Sequence, residues 1–196
     1  MSAVCKPQPE DVYTQLCALP PGQTGEIIGG RLHVLPRPAG PHAMAASALG
    51  GELYGSYQRG RGGPGGWWIL DEPELHFVRD VEVCVPDIAG WRRERLPRIP
   101  RGHRFELVPD WICEVLSPAT ARLDRAEKMP LYAHYGVAYL WLVHPIERTL
   151  EAYTLREGHW MVTGLFQEND TVQTEPFAEL ALQLADLWVE VEEEES

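Results

Sequence analysis

Lysine is almost missing from this chain. Lys6 and Lys128 are the only two lysines among 196 residues, beside fifteen arginines. A strong arginine bias often follows the coding composition of a genome, so most basic positions here tolerate either residue. Arginine cannot replace lysine where a compact ammonium charge is required. Lys128, well inside the chain, is therefore a candidate for a chemical role.

Several other features are missing as well. No apolar run approaches the roughly 20 residues that span a bilayer, and residues 1–10 lack the pattern of a secretion signal. The histidines show no H-x-x-H or H-E-x-x-H spacing, which excludes the usual zinc-peptidase site. The cysteines form no C-x-x-C pair, so we expect buried free thiols in a reducing cytoplasm. They are Cys5, Cys17, Cys84 and Cys113.

Negative charge is unevenly spread along the chain. The formal net charge is −12 at pH 7, and residues 146–196 hold 13 acidic and 2 basic side chains. Residues 1–145 hold 16 acidic and 15 basic side chains and are close to neutral. We interpret the acidic end, about residues 190–196, as a frayed and solvated tail. The overall acidity therefore does not argue against nucleic acid as a partner of the rest of the chain.

The order of predicted elements indicates one domain of mixed class. Helical spacing predicts helices at 9–19, from His42 to Tyr57, and at 120–135 with a bend at Pro130. Alternating or apolar runs predict strands at 67–70, 74–78, 81–91, 109–116 and 138–143, with hairpins at 26–36 and 149–166. This order gives an α/β (α+β) fold in which helices flank a central mixed sheet.

Two acidic residues stand beside or within apolar strands. Asp87 follows Pro86 at the end of a valine-rich strand, and Glu114 lies inside the run WICEVL. A carboxylate in such a place is costly unless it is paired or binds a cation. On neighbouring strands the two can share one Mg²⁺ ion, which often has only one or two protein carboxylates as ligands. The alternative is that Glu114 pairs with an arginine, Arg122 or Arg125.

Lys128 lies on the helix that follows Glu114. Asp124 precedes it by four residues and Tyr132 follows it by four, so these three residues share one helix face. The lysine either forms an ordinary surface pair with Asp124 or points toward the two carboxylates. In the second case its charge would stabilise a phosphate in the transition state.

Two long runs carry a family resemblance. VPDIAGW at 85–91 and PDWICEVLSPATARLDRAEKMPLYAHYGVAYLWLVHP at 109–145 resemble the putative restriction endonuclease family of the PD-(D/E)XK nuclease superfamily. The most specific part is E-V-L-S-P followed by a lysine, a tyrosine, Gly-Val and an aromatic-rich strand. The resemblance implies a restriction-endonuclease-like fold, metal ligation by Asp87 and Glu114, and catalytic roles for both and for Lys128. The superfamily lysine usually lies two residues after the acid, where this chain has Leu116, so the resemblance places it at Lys128 instead.

The same resemblance implies a cofactor, partners and supporting residues. It implies Mg²⁺ or Mn²⁺ as cofactor, DNA as substrate and a homodimer, because cutting two strands takes two active sites. Polar groups from the first long helix or a nearby strand often join such sites, and here His42, Glu52 and Glu74 are the candidates. Asp110 is a further supporting candidate, because an even offset places it on the Glu114 face of its strand. Its position after Pro109 also suits a merely exposed aspartate at the start of a strand.

A loop rich in arginine lies between the two carboxylates in sequence. We therefore expect it near the active edge, where it would contact DNA phosphates. The alternative is a charged loop that only faces solvent. Its arginines are Arg92, Arg93, Arg95, Arg98, Arg101 and Arg104, against the single acid Glu94.

Three functions are compatible with these residues. The leading hypothesis is a metal-dependent DNA endonuclease that hydrolyses phosphodiester bonds by water attack. The alternative is a catalytically inactive nuclease-fold module that binds nucleic acid or a protein partner. A phosphoesterase acting on nucleotides would need a closed pocket. The complete set of Asp87, Glu114 and Lys128 favours the enzyme, since an inactive descendant does not need all three.

Overall fold

Strands form most of the regular structure and are divided between two large sheets and one short pair. The computed structural model describes residues 11–190. In chain order the strands are β1 (Thr24–Ile28), β2 (Arg31–Leu35), β3 (Trp67–Asp71), β4 (Glu74–Val78), β5 (Glu82–Cys84), β6 (Ile88–Arg92), β7 (Arg104–Phe105), β8 (Trp111–Val115), β9 (Tyr139–His144), β10 (Thr149–Arg156), β11 (His159–Gln167), β12 (Thr171–Val172) and β13 (Leu182–Gln183).

Within the described residues the helices are few, and α2 is the long one. They are α1 (Val12–Cys17), α2 (Gly40–Leu53), α3 (Ala121–Leu123) and α4 (Met129–Tyr135). A π-helical turn at Tyr54–Gln58 extends α2, a second at Asp124–Lys128 joins α3 to α4, and a 3-10 turn covers Leu184–Leu187. Within residues 11–190 no helix is long and apolar enough to cross a membrane.

The larger sheet has six strands in the order β11-β10-β9-β8-β6-β3. Strands β8 and β9 are parallel, and every other neighbouring pair in this sheet is antiparallel. It is the mixed sheet that the sequence predicts, and the α+β class is confirmed. The second sheet, in the order β2-β1-β5-β4-β7, was not predicted as a separate layer.

The predicted strand at 81–91 is wrong as one continuous strand. Its first part is β5 in the five-stranded sheet, and its second part is β6 in the six-stranded sheet. Pro86 lies in the break, where it has no N–H to donate to a ladder and its ring fixes φ. Asp87 therefore lies at the crossing between the two sheets, directly before β6, and not at the end of a valine-rich strand.

Strand β8 separates two apolar cores. Trp111, Cys113 and Val115 pack with Leu49 and Leu53 of α2 on one face of the six-stranded sheet. Ile112 belongs to the core on the opposite face, which also contains residues of the five-stranded sheet and of α4. Because side chains alternate along a strand, Glu114 shares the face of Ile112. Its carboxylate therefore projects between the two sheets.

The glycine-containing turns of the structure agree with the two predicted hairpins. Strands β1 and β2 are joined by Gly29 and Gly30, whose φ angles of 56° and 73° favour glycine. The hairpin of β10 and β11 turns at Glu157 and Gly158, as predicted. A π-helical turn lies just before Pro130, which cannot donate a helical hydrogen bond, and the bend expected at this proline stays a prediction.

The cysteines match the expectation only in part. Cys84 and Cys113 are buried free thiols, whereas Cys17 is free but exposed. Cys5 and most of the predicted acidic tail, residues 191–196, lie outside the described residues.

Candidate active site

Asp87 is held at the end of the strand that carries Glu114. Ile88 of β6 pairs with Cys113 of β8 in an antiparallel register. Asp87, just before Ile88, is therefore the neighbour of Glu114, just after Cys113. The Oδ2 atom of Asp87 accepts a hydrogen bond of 2.7 Å from the backbone N–H of Val115. This bond fixes the Asp87 carboxylate beside the Glu114 position.

Glu114 is buried and contacts two residues of the helical segment through one carboxylate oxygen, Oε1. Its side chain is 3% exposed, and its Oε1 atom lies 2.8 Å from Nζ of Lys128. The Tyr132 hydroxyl donates a hydrogen bond to the same Oε1 atom. Both of these contacts come from the helix side and are made by Oε1.

Lys128 lies at the centre of the charged cluster. The π-helical turn directs Asp124 and Lys128 inward, and both side chains are buried. Nζ of Lys128 lies 3.5 Å from Oδ1 of Asp124 and 2.9 Å from Oε1 of Glu26. The alternative of a surface Asp124–Lys128 pair is wrong, since the pair exists but is buried.

Glu26 was missed by the sequence reasoning. It lies in β1, is fully buried, and accepts a hydrogen bond of 2.7 Å from the backbone N–H of Val85. The signal was present in the run GEII, because a carboxylate within an apolar strand calls for the same explanation as Glu114.

His42 is the supporting candidate that reaches Asp87. Its Nε2 atom lies 3.1 Å from Oδ1 of Asp87, from the first turn of α2. Burial acts to lower the pKa of His42, but the hydrogen bond to Asp87 and the charge of Asp87 outweigh it and raise the pKa. Histidine at this position fixes the orientation of the Asp87 carboxylate.

The cluster has an excess of negative charge. Four carboxylates, those of Glu26, Asp87, Glu114 and Asp124, surround the single ammonium of Lys128 and the imidazole of His42. If all six of these groups are charged, the net negative charge of the cluster is equal in size to the positive charge of one divalent cation.

Burial is the main cause of the pKa shifts in the cluster. It raises the pKa of the Glu114 carboxyl well above its ordinary value, and Lys128 offsets this only in part. Burial also raises the pKa of Asp124. For Lys128, burial acts to lower the pKa, but the charges of Glu114 and Glu26 outweigh it and hold the pKa well above its ordinary value. Burial therefore shifts Glu114 and Asp124 toward their protonated forms, and a bound cation would act against that shift.

A pocket of about 290 Å³ opens onto this cluster. Within residues 11–190 no three His, Cys, Asp or Glu side chains are gathered as ready metal ligands. Asp87 and Glu114, which both line the pocket, fit the simpler arrangement that Mg²⁺ commonly adopts, with two carboxylates and the remaining positions filled by water or phosphate oxygens. The charged or polar residues that line the pocket include His42, Glu72, Asp87, Glu114, Asp124 and Lys128.

The structure does not bring every predicted supporting residue to this pocket. Glu52 is exposed on α2 and does not line it. Oε1 of Glu74 is bonded to the ring of His76 and to the hydroxyl of Tyr13, in a neighbouring groove. Asp110 is 8% exposed, so the interpretation as an exposed aspartate is wrong. It lies at the other end of β8, so the supporting role at the pocket is also wrong.

The arginine loop does not begin beside the acidic cluster. It joins the end of β6 to the start of β8, and these antiparallel strands place that end opposite to Asp87 and Glu114. Arg93 lies over the Trp68 ring and donates to the carbonyl of Gln58. The expectation that the loop lies at the active edge is therefore wrong for its first half.

Partners within the protein already occupy most of these arginines. Arg92 lies over the Trp67 ring, Arg95 pairs with Asp110, and Arg104 pairs with Asp80. Arg98 and Arg101 are exposed, and the described residues provide no partner for either. These two are the arginines of the loop that remain available to a phosphate backbone.

The alternative pairing of Glu114 with an arginine is also wrong. Arg125 pairs with Glu151, on the outer side of the helix. Arg122 makes no contact with Glu114, whose Oε1 partners are Lys128 and Tyr132. The buried acid is therefore compensated by lysine and not by arginine.

Comparison with known proteins bears on the family and the fold of the chain. A family model described as Uma2, putative restriction endonuclease, matches residues 10–186. The fold is similar to the crystal structure of a putative nuclease belonging to DUF820 from Anabaena variabilis, with a TM-score of 0.70 and 27% identity. That match covers 89% of this chain and 96% of the other. No curated protein matches the chain.

Proposed function

The chain belongs to the Uma2 family of putative restriction endonucleases, and from that premise we propose that it hydrolyses phosphodiester bonds in DNA with a bound Mg²⁺ or Mn²⁺ ion. One observation carries the proposal. Asp87 and Glu114 lie side by side at the wall of a pocket, in a buried cluster whose excess of negative charge one divalent cation would balance. Burying such an excess without a cation is costly.

The residues of the chain have separate tasks in this proposal. Asp87 and Glu114 would hold the ion, and His42 keeps the Asp87 carboxylate oriented. A divalent ion supplies a polarised phosphoryl oxygen and a more acidic water. The ammonium of Lys128 lines the same pocket and stabilises negative charge that develops on the phosphate.

A nicking assay on supercoiled plasmid tests the proposal. The native chain should nick DNA with Mn²⁺ or Mg²⁺ and should stop when a chelator is added. Asp87→Asn and Glu114→Gln should remove this activity, while Glu52→Gln, on the exposed face of α2, should keep it. A native chain that neither binds a divalent ion nor nicks any DNA would favour the catalytically inactive module instead.

The proposal includes a homodimer. Strand β11 forms one edge of the six-stranded sheet and exposes Met161, Val162 and Leu165, with exposed fractions of 55%, 55% and 70%. A long edge strand with exposed apolar side chains favours pairing with another strand. Sedimentation velocity should give a dimer for the native chain and a monomer for Leu165→Lys. A monomeric native chain would remove this part of the proposal.

A further inference from the structure

Glu26 is a buried acid whose only ion-pair partner among the described residues is Lys128. It is 0% exposed, and it does not line the pocket. Its Oε1 atom lies 2.9 Å from Nζ of Lys128 and accepts the backbone N–H of Val85. Its Oε2 atom is buried and has no hydrogen-bond partner. An acid in this position is costly, so its pairing with the ammonium needs a functional account.

Lys128 is shared almost equally between two sheets. Glu26 belongs to β1 of the five-stranded sheet and holds the ammonium at 2.9 Å. Glu114 belongs to β8 of the six-stranded sheet and holds it at 2.8 Å. Only Glu114 also faces the pocket. A cation bound in the pocket would attract the Glu114 carboxylate and repel the Lys128 ammonium. The attraction between Glu26 and Lys128 would remain, because Glu26 does not face the pocket.

We propose that Glu26 is a positioning residue that holds the Lys128 ammonium at the pocket wall when Glu114 binds a cation. The cation part of this inference rests on the proposed function, but the placement of Lys128 does not. Glu26 touches neither substrate nor ion in this account. It acts through Lys128, and its contact with Val85 fixes it to the segment that leads into Asp87.

The scarcity of lysine allows a direct measurement of this placement. With ¹⁵N-labelled lysine the chain gives at most two side-chain ammonium signals, from Lys6 and Lys128. The Lys6→Arg variant identifies the signal of Lys128. A buried ammonium held by carboxylates exchanges its protons slowly with water, so this signal should be visible by NMR at neutral pH without metal.

Two variants each remove one carboxylate charge from around Lys128. Glu26→Gln should abolish the Lys128 signal, because the ammonium loses one of its two close partners. Asp124→Asn should preserve it, because Oδ1 of Asp124 is more distant at 3.5 Å. A signal that persists in Glu26→Gln would overturn the proposal. If Glu26→Gln does not fold, Glu26→Asp replaces it, and an unchanged Lys128 signal there would equally overturn the proposal.

Mn²⁺ titration then measures the effect on the ion. Once Glu26 is neutral, the ammonium competes for the charge of Glu114, so the dissociation constant for Mn²⁺ should rise by about 10–100-fold, as for other partners of a metal ligand. Asp124→Asn should raise it less, although Asp124 lines the pocket and Glu26 does not. An equal or larger rise in Asp124→Asn would mean that only total charge matters, which contradicts the proposal.

The two ideas fail in different ways. If the native chain binds no Mn²⁺ but Glu26→Gln still releases Lys128, the proposed function is wrong and the positioning role of Glu26 stands. If the native chain binds Mn²⁺ and Glu26→Gln changes neither the Lys128 signal nor the Mn²⁺ affinity, the positioning role is wrong and the proposed function stands.

Discussion

The two Pro-Asp pairs of this chain have the same backbone role and different surroundings. Asp87 and Asp110 each follow a proline and precede a strand of the six-stranded sheet. Oδ2 of Asp87 accepts the N–H of Val115, the last residue of β8, at 2.7 Å. Oδ2 of Asp110 accepts the N–H of Arg92, the last residue of β6, at 2.8 Å. Because β6 and β8 are antiparallel, the two aspartates lie at opposite ends of one strand pair.

The remaining oxygen of each aspartate makes the difference. Oδ1 of Asp110 pairs at 2.8 Å with Arg95, whose side chain is 41% exposed. Oδ1 of Asp87 faces His42, and the neighbouring acid is Glu114 in a buried cluster with excess negative charge. One aspartate is therefore paired with a surface arginine, and the other belongs to a cluster whose negative charge a bound cation would balance. The Pro-Asp motif fixes the hydrogen bond from each aspartate to a backbone N–H of the neighbouring strand. The residues around the second carboxylate oxygen then decide whether the aspartate can bind a metal ion.

The largest expected difference between the two ends is in stability. Lys128→Met leaves buried carboxylates without their cation and should lower the free energy of unfolding by about 3–5 kcal/mol. Arg95→Met breaks a half-exposed pair and should cost at most about 1 kcal/mol. Urea denaturation of both variants at neutral pH without metal measures the two losses. Similar losses would mean that the two ends do not differ in the way described.

The next largest effect is on DNA cleavage. Asp87→Asn should reduce plasmid nicking by at least about 100-fold, because a direct metal ligand should matter no less than its outer partners. Asp110→Asn should leave nicking within a few-fold of native, since an amide oxygen can still accept the N–H of Arg92. A comparable loss in Asp110→Asn would mean that the active site lies at the Asp110 end of the strand pair, or that both ends take part in cleavage.

A moderate effect is expected from pH on the acidic end. The pKa of Glu114 is raised mainly by burial, from an ordinary value of 4.5. A carboxyl whose pKa is higher in the folded than in the unfolded state binds more protons when folded, so stability falls as pH rises from the unfolded toward the folded value. The metal-free protein should therefore lose stability as pH rises above the ordinary value. The contribution of Lys128 has no effect in this window, because a raised lysine pKa loses its stabilisation only in strong alkali.

Metal binding should show the opposite pH dependence. An ion at Glu114 displaces a proton, so Mn²⁺ affinity should rise with pH by up to about tenfold per pH unit for one proton released. Thermal unfolding with and without Mn²⁺ across the weakly acidic to neutral range measures this as a growing shift in Tm. A shift that does not change with pH would mean that the ion binds away from Glu114.

The smallest effect is expected at the arginine loop. Arg98 and Arg101 are exposed and have no partner among the described residues, so each can contact at most one phosphate. Arg98→Ala and Arg101→Ala should each weaken DNA binding a few-fold and reduce the slope of log affinity against log salt by about 1. Unchanged affinity and slope in both would leave the loop as a solvated surface.

The sequence pointed to Glu114 and Lys128 as candidates because the cost of burying each can be judged from its neighbours in the chain. Glu114 stands within an apolar run, and Lys128 is unusual in a chain that otherwise uses arginine. Burying a charged side chain costs free energy unless it is paired, so such residues can be recognised as candidates before the fold is known. Glu26 satisfies the same criterion, and it was missed because the run GEII was used only to predict a hairpin.

The position of the arginine loop could not be predicted in the same way. Nearness in sequence to Asp87 and Glu114 suggested nearness in space, but the antiparallel pairing of β6 and β8 reverses that expectation. The division of 81–91 into two sheets is also a tertiary outcome, although Pro86 signals the break. The pairing of β1 with β5, which brings Glu26 to Lys128, connects distant parts of the chain and leaves no local pattern.

Calorimetry with Mn²⁺ on the native chain, Asp87→Asn and Asp110→Asn tests the central claim most directly. The account predicts binding to the native chain and to Asp110→Asn, and loss of binding in Asp87→Asn. Binding that survives in Asp87→Asn, or disappears equally in Asp110→Asn, would contradict the claim that surroundings alone make Asp87 a metal ligand.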